Sequence, residues 1–194
     1  MIKRLFDIFL SSIGLVLSSP IWLIFSLAIK LEDGGPIFYS QERVGKNGRI
    51  FKALKFRSMI PDAERHTGAV WASENDPRVT KTGKILRAIA MDELPQLWNI
   101  FKGDMSFVGP RAERPELVEQ FAQKIKNYHY RLLVTPGLTG LAQVYGKYDT
   151  PPHQKLHYDL LYIKNQSFLL DLKLIFLSFY ITFRGKWESR DRKI

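Results

Sequence analysis

No cysteine occurs among the 194 residues of this sequence, which also lacks internal repeats and low-complexity tracts. The lack of cysteine excludes disulfide bonds and thiolate metal sites, and it is consistent with a reducing compartment. Acidic residues are scarce, since 19 Asp and Glu stand against 29 Lys and Arg, for a formal net charge of +10. This excess predicts an anionic partner and leaves nucleic acid, nucleotide phosphates and an anionic lipid surface open.

Charged residues are also missing from residues 8–29, a run of 22 side chains. As a helix this run would be about 33 Å long, which is enough to cross the hydrocarbon core of a bilayer. Ser19 and Pro20 stand in its middle. Because proline removes a helix hydrogen bond and crowds the carbonyl four residues earlier, we expect a break there, with serine hydroxyls satisfying the freed backbone groups.

Basic residues on both sides of this run indicate how it meets a membrane. Lys3 and Arg4 precede it and Lys30 follows it, and positively charged residues prefer the cytoplasmic side. A re-entrant helix-break-helix over residues 1–31 keeps both groups on that side, whereas a bitopic helix exposes one of them. We therefore expect the re-entrant form, with the bitopic helix as the alternative. A cleaved signal peptide is disfavoured because no convincing cleavage site follows.

Residues 32–194 are expected to form one further domain, with enough apolar content for a core because 45% of the whole chain is hydrophobic. Two strand-like segments, 37–39 and 50–56, are joined by glycines and an asparagine typical of a hairpin turn. Helical signals then dominate, at 82–90, 93–102, 115–126 and 153–164. The predicted fold class is α+β and α-rich, with a small β-hairpin.

The segment 168–183 is apolar and aromatic, but Asp171 and Lys173 interrupt it, so its uncharged part is too short to span a membrane. We expect an amphipathic helix lying in the membrane interface, and a buried core helix is the alternative. The tail over 184–193 is basic, and each cation near an anionic leaflet adds about 1 kcal/mol of attraction.

Two adjacent carboxylates, Asp92 and Glu93, stand at the start of a predicted helix. One interpretation is that Asp92 caps this helix. Pro95 weakens it, because a capping box would place Glu or Gln there and proline has no amide proton. The positive end of the helix dipole favours an ionised Asp92 by about 0.3–1 kcal/mol. An ionised aspartate is suited to act as a nucleophile or metal ligand, and Glu93 is suited to proton transfer.

Eight segments along nearly the whole chain resemble, in order, motifs of the bacterial monotopic phosphoglycosyl transferases, the polyprenyl-phosphate sugar-1-phosphate transferases. They are residues 3–7, 19–20, 35–45, 55–59, 76–80, 92–97, 103–111 and 136–140. So many ordered matches are highly specific.

The resemblance implies a two-step exchange. The family's aspartate, matched by Asp92, attacks the β-phosphorus of a UDP-sugar, expels UMP and holds the phosphosugar until polyprenyl phosphate takes it over. The product, polyprenyl-diphosphate-sugar, begins bacterial glycoconjugate or exopolysaccharide synthesis. The family uses Mg²⁺, for which Asp92 is the expected ligand, and Glu93 matches a second essential carboxylate with an acid/base or metal-supporting role. Two adjacent phosphates do need neutralising before an anionic carboxylate approaches.

Basic residues around the phosphates are implied at Lys55, Arg87 and Arg111, and arginine is suited to binding phosphate bidentately. Lys147 and Asp159 lie near later polar positions of the family and are also expected to bind substrate. The alternative for each is a solvated surface charge.

The partners implied by the resemblance are a UDP-sugar, polyprenyl phosphate and membrane lipids, with no nucleic acid. The expected location is the cytoplasmic face of the bacterial inner membrane, with residues 32–194 as the catalytic domain. The transferred sugar, the polyprenol length and the oligomeric state, a homodimer included, stay open.

Three other interpretations remain beside this one. His153 and His157 are four residues apart, but no carboxylate lies between them and no third ligand is evident, which disfavours a zinc site. A nucleic-acid-binding module fits the charge, yet no recognition motif occurs and the apolar N-terminus would be unexplained. The third is a non-catalytic scaffold at the membrane surface, with the carboxylates as helix caps.

Overall fold

The computed structural model describes residues 2–65, 68, 73, 76–187, 189, 191, 193 and 194. Seven α-helices and four short strands, besides three 3₁₀ turns, make up the regular structure of that part of the chain. In chain order they are α1 (Ile2–Asp33), β1 (Phe38–Val44), β2 (Ile50–Phe56), α2 (Lys81–Ala88), α3 (Gln96–Lys102), β3 (Ser106–Val108), α4 (Pro115–Lys124), β4 (Gly137–Thr139), α5 (Leu141–Tyr145), α6 (Pro152–Lys164) and α7 (Phe168–Phe183).

The N-terminal apolar run lies in a single helix, α1, that continues through Pro20. The predicted break at Ser19 and Pro20 is therefore not confirmed. A serine hydroxyl does satisfy a backbone group near the proline. Pro20 has no N–H for the carbonyl of Val16, and the Ser19 hydroxyl donates to that carbonyl at 2.8 Å instead. Within the described residues, α1 is the one helix long and apolar enough, by length and composition, to cross a membrane.

Charged side chains near the start of α1 bind the rest of the chain. The Arg4 guanidinium donates to the carbonyls of Ile100 and Phe101 at 2.6 and 2.7 Å. These carbonyls lie in the last turn of α3, where a cation complements both the free acceptors and the helix dipole. The Lys3 ammonium lies 2.5 Å from the carboxylate of Asp171 in α7.

The end of α1 is held in the complementary way. The Glu32 carboxylate accepts from the backbone N–H groups of Lys81 and Thr82 at 2.7 and 3.1 Å, at the start of α2. An anion is favoured there because the first amides of a helix have no intrahelical partner. Asp33 accepts from the Arg57 guanidinium just beyond β2.

The predicted hairpin is confirmed, and its first strand is longer than expected. β1 pairs antiparallel with β2 from Phe38 opposite Phe56 to Val44 opposite Ile50. Asn47, in the connection, has the left-handed φ of 56° that a tight turn requires.

The predicted helices are found with shifted ends, and the helix predicted over 93–102 is shorter because it begins at Gln96. Three short elements escaped prediction: α5 and the parallel pair β3 and β4, in which Ser106 lies opposite Gly137. Three-residue strands are too short to show an alternating pattern.

One face of α7 is buried and the other is exposed. Leu174 and Ile181 are fully buried in the main core, whereas Phe176 and Phe183 are 71% and 88% exposed. The interpretation of this segment as a core helix is therefore confirmed for the face that carries Leu174 and Ile181. The exposed face is compatible with an interfacial helix, which stays a prediction.

Asp7 joins α1 to β3 inside the protein. Its carboxylate is 3% exposed and accepts from the Phe107 N–H and the Ser106 hydroxyl, each at 3.1 Å. We expect Asp7→Ala to lower the free energy of unfolding by about 1–3 kcal/mol, because the buried N–H loses its acceptor. Thermal unfolding of the detergent-solubilised chain measures the change.

Ser12→Ala is the matched control, since the Ser12 hydroxyl donates to Ile8 of its own helix at 2.7 Å. Equal destabilisation by the two variants would contradict the role assigned to Asp7.

Candidate active site

A cavity of about 890 Å³ opens between the hairpin, the turn before α3, the loop after β3 and the residues around α5 and α6. Eleven Lys or Arg side chains and five Asp or Glu side chains line it. Such a surplus of positive charge, with arginines among the cations, is suited to a ligand that carries more than one phosphate.

The chain reverses sharply where it presents the two carboxylates. α2 ends at Ala88, and Ala90 has left-handed backbone angles, φ 54° and ψ 21°. A 3₁₀ turn, Met91–Glu93, follows directly. A non-glycine residue in this region costs about 1–3 kcal/mol and persists only where its surroundings enforce it, a condition often met at functional sites.

The capping interpretation of Asp92 is wrong. The residue that precedes α3 is Pro95, and no side chain caps that helix. The 3₁₀ turn begins after Ala90 and likewise has no side-chain cap. Asp92 and Glu93 line the cavity instead.

Glu93 lies between two cations. Its carboxylate accepts from the Lys55 ammonium at 2.6 Å and from both terminal nitrogens of Arg111, Nη1 at 3.2 Å. Burial raises the pKa of Glu93, but Arg111 and Lys55 outweigh that effect and hold this pKa well below its ordinary value. Glu93 raises the pKa of Arg111 in return. At neutral pH the glutamate is therefore charged and binds two cations, a state that suits positioning better than proton transfer.

Asp92 shares the Lys55 cation with its neighbour. Its carboxylate oxygen Oδ2 is 3.9 Å from the Lys55 ammonium, and the residue is 8% exposed. A nearby cation favours the ionised form of a carboxylate, whereas burial opposes it. Asp92 thus brings a carboxylate to the wall of the cavity, next to cations of the kind that bind phosphate.

The position of Lys55 depends on Asn99 in α3. The fully buried Asn99 amide accepts from the Leu54 N–H at 2.9 Å and donates to the Lys52 carbonyl at 2.8 Å. These bonds fix β2 against α3, and with it the distance from Lys55 to the carboxylates. The sequence motifs gave no reason to single out this asparagine.

Asp159 is not where the substrate-binding prediction placed it. It is 2% exposed, does not line the cavity, and accepts from the Arg131 guanidinium at 2.9 Å. Burial raises the pKa of Asp159 to about 6, and Arg131 opposes that shift. Arg131 in turn donates to the carbonyl of Arg111 at 2.8 Å and to the Tyr128 hydroxyl at 2.7 Å. Asp159 therefore acts through Arg131 on the backbone that carries Arg111.

The other predicted residues do meet at the cavity. Arg87, from the last turn of α2, and Lys147, just after α5, line it together with Lys55, Arg111 and the carboxylates. Ser19 and Pro20 lie apart, within α1. The cavity is also lined by residues for which the sequence predicted no function: Arg43, Glu113, Arg114, Arg131, Gln143 and Lys155.

A metal site made wholly of protein ligands is not found among the described residues, where no three His, Asp or Glu side chains are grouped for one. Mg²⁺ is commonly held by one or two carboxylates together with substrate phosphates. Asp92 fits that arrangement, because its oxygen faces a cavity large enough for a diphosphate. Glu93 fits it less well, because its oxygens already bind Lys55 and Arg111.

Comparison with known proteins identifies the kind of molecule that carries this cavity. Residues 1–185 match the family described as bacterial sugar transferase. The chain belongs to the bacterial sugar transferase family. The family expected from the ordered motifs is thus confirmed.

Three curated relatives of this member of the family show what the similar proteins are named for. The UDP-N-acetylgalactosamine-undecaprenyl-phosphate N-acetylgalactosaminephosphotransferase of Aeromonas hydrophila is 45% identical over 90% of this chain and 42% of that protein. The UDP-glucose:undecaprenyl-phosphate glucose-1-phosphate transferase of Klebsiella pneumoniae is 44% identical over 95% of this chain and 40% of that protein. The exopolysaccharide production protein ExoY of Rhizobium meliloti is 40% identical over 91% of this chain and 83% of that protein. The chain therefore spans about two fifths of the length of the first two relatives.

The left-handed backbone at Ala90 leads to a testable prediction. We expect Ala90→Val to be less stable than Ala90→Gly by about 1–3 kcal/mol, because a branched side chain opposes positive φ whereas glycine accepts it. Thermal unfolding in detergent compares the two variants.

Exposed Ala88, the last residue of α2, provides the control. Valine should be tolerated there at least as well as glycine, because that backbone is helical. The same order of stability at both positions would contradict the conformation described for Ala90.

Proposed function

We propose that this chain transfers a sugar-1-phosphate from a UDP-sugar to polyprenyl phosphate, with release of UMP and formation of polyprenyl-diphosphate-sugar. The observation that carries the proposal is the Asp92 carboxylate, presented to a cationic cavity beside the Lys55, Glu93 and Arg111 cluster. The family membership and the named activities of the relatives from Aeromonas and Klebsiella support it.

The proposed chemistry has two displacements at one phosphorus atom. In the first, an oxygen of Asp92 attacks the β-phosphorus of the UDP-sugar, the bond from that phosphorus to the bridging oxygen breaks, and UMP leaves. In the second, an oxygen of polyprenyl phosphate attacks the same phosphorus and the Asp92 carboxylate leaves. The sugar phosphate is thereby carried from one diphosphate to another.

Cationic side chains supply the electrostatic part of this chemistry. Two anions must approach each other in each displacement, so positive charge at the transferred phosphoryl group lowers the barrier. Lys55 is placed for this role because it lies near both carboxylates, 2.6 Å from Glu93 and 3.9 Å from Asp92. Arg87, Arg111 and Lys147 line the same cavity and would hold the remaining phosphate oxygens.

Mg²⁺ is part of the proposal, with Asp92 and the phosphates of the substrate as its ligands. When bound, the ion would neutralise charge on the diphosphate and favour departure of UMP. Glu93 would contribute by holding Lys55 and Arg111 in place around the same group.

We also propose that the protein sits on the cytoplasmic face of the inner membrane with α1 re-entrant. The contacts at the two ends of α1 support this placement, because Arg4 binds α3 and Glu32 binds α2 in one folded unit. A straight crossing would put these two ends on opposite sides of the bilayer. The exposed apolar residues of α1 and α7 supply surface for lipid contact.

The nucleic-acid-binding alternative is not favoured. It accounts for the net charge, but no feature of the cavity favours it over a nucleotide-sugar, and it leaves the long apolar helix unexplained.

An isotope-exchange experiment tests the covalent step. With Mg²⁺ and a suitable UDP-sugar but no acceptor, labelled UMP should enter the UDP-sugar pool, because the first displacement is reversible. We expect Asp92→Asn to reduce this exchange by at least about 1,000-fold, since the amide is a far weaker nucleophile than the carboxylate.

Asp104→Asn is the matched control, because Asp104 also lies near a lysine, Lys102 at 2.8 Å, but outside the residues that line the cavity. Exchange by Asp92→Asn at the wild-type rate would contradict the proposed aspartyl intermediate. If no UDP-sugar of a broad panel released UMP in the presence of the acceptor, the proposed transferase activity would be contradicted.

A labelling experiment tests the topology. Because the chain has no native cysteine, only an introduced cysteine can react. A cysteine at Ile2, which is 73% exposed, should resist an impermeant thiol reagent in intact cells and react after permeabilisation. Gln123→Cys, at an exposed position on α4, should behave in the same way. Labelling of the Ile2→Cys variant alone in intact cells would reject the re-entrant arrangement.

A further inference from the structure

Gln143, in α5, lines the same cavity as Asp92 and Arg111. The residue is 8% exposed, and neither its amide oxygen nor its amide nitrogen has a hydrogen-bond partner. Across the part of the chain that the structure describes, it is the one buried side chain left in this state. Buried polar groups are normally paired, so a pair of unpaired atoms in a substrate cavity points to a missing partner.

The surroundings of Gln143 show how a ligand can reach it. The Lys193 ammonium donates to the Gln143 backbone carbonyl at 3.0 Å and lies 5.4 Å from the centre of the Trp187 ring. Trp187 and Lys193 line the cavity as well. Because the Gln143 amide is shielded from water, a ligand must displace a neighbour, and a lysine side chain has the rotatable bonds to move aside.

The chemistry of the amide limits what its partner can be. The glutamine side chain has an acceptor and a donor side by side. A phosphate at the reaction pH offers acceptors and would leave the Gln143 oxygen unpaired, and the cavity already has eleven basic side chains for phosphates. A partner for both atoms must present a donor next to an acceptor.

The uracil ring has such an edge, where N3–H lies between two carbonyl groups. Glutamine makes an equivalent bidentate contact with adenine, whose edge also pairs a donor with an acceptor. The ring of Trp187 adds a flat aromatic surface nearby, on which a base can stack.

We infer that Gln143 recognises the uracil of the donor nucleotide, its Oε1 accepting from N3–H and its Nε2 donating to the adjacent carbonyl oxygen. This assignment rests on the proposed function, because it takes a UDP-sugar as the donor. It gives Gln143 a role in nucleotide specificity and none in the displacements at phosphorus.

Direct binding of UDP and N3-methyl-UDP to the full chain in lipid nanodiscs tests the inference. N3-methylation removes the donor that Gln143 would contact and leaves the diphosphate unchanged. We expect the wild-type chain to bind UDP at least about tenfold more tightly than N3-methyl-UDP, because a site built to pair a donor discriminates against its loss. Gln143→Met, similar in size, should abolish that preference mainly by weakening the binding of UDP.

Gln154→Met is the control, since Gln154 is exposed on α6 and does not line the cavity. Equal binding of the two nucleotides by the wild type would overturn the inference, whatever the variants do. A preference for UDP that survives in Gln143→Met would overturn it too. Binding of neither nucleotide by the wild type would instead sink the proposed function, and this assignment with it.

Discussion

The buried carboxylate of Glu93 is the group on which the arrangement of the cavity depends. Lys55 comes from a strand and Arg111 from a loop about 55 residues later, and without an anion between them these cations would repel each other. Removal of Glu93 would leave the charges of Lys55 and Arg111 uncompensated. Glu93 therefore holds the two cations together at the wall of the cavity, which its neighbour Asp92 also lines.

Charged side chains that bind unpaired backbone groups hold the turn that carries the carboxylates. Arg4 binds the carbonyl end of α3 and Glu32 binds the amide end of α2. These are the two helices on either side of the left-handed residue Ala90. The apolar N-terminal helix thus braces the turn from both sides, and Arg131 with Asp159 braces the opposite wall through the backbone of Arg111. The long apolar helix and the geometry of the site thus depend on each other.

Local patterns predicted much of this fold. The hairpin, the helices and the position of the paired carboxylates follow from turn residues, helical spacing and ordered motifs, all of which act over short stretches of chain. What sequence reasoning missed depends on contacts between distant residues. From the sequence, Asp159 could be a polar residue that binds substrate, but in the structure it is buried and paired with Arg131. The unpaired amide of Gln143 and the backbone angles of Ala90 leave no trace in a sequence, because side-chain pairing and local strain are decided by packing.

The bonds of α1 also bear on how the chain is made. Asp7 is satisfied by residues 99 and 100 positions later, and Lys3 by a carboxylate 168 positions later. On the ribosome the N-terminal helix therefore emerges long before its partners exist, with polar side chains unpaired beside an apolar stretch. Until Asp171 has been synthesised, contact with lipid would shield the apolar side chains of this helix from water. Insertion at the bilayer during translation would meet that need and would deliver the helix first, as the template on which the later elements assemble.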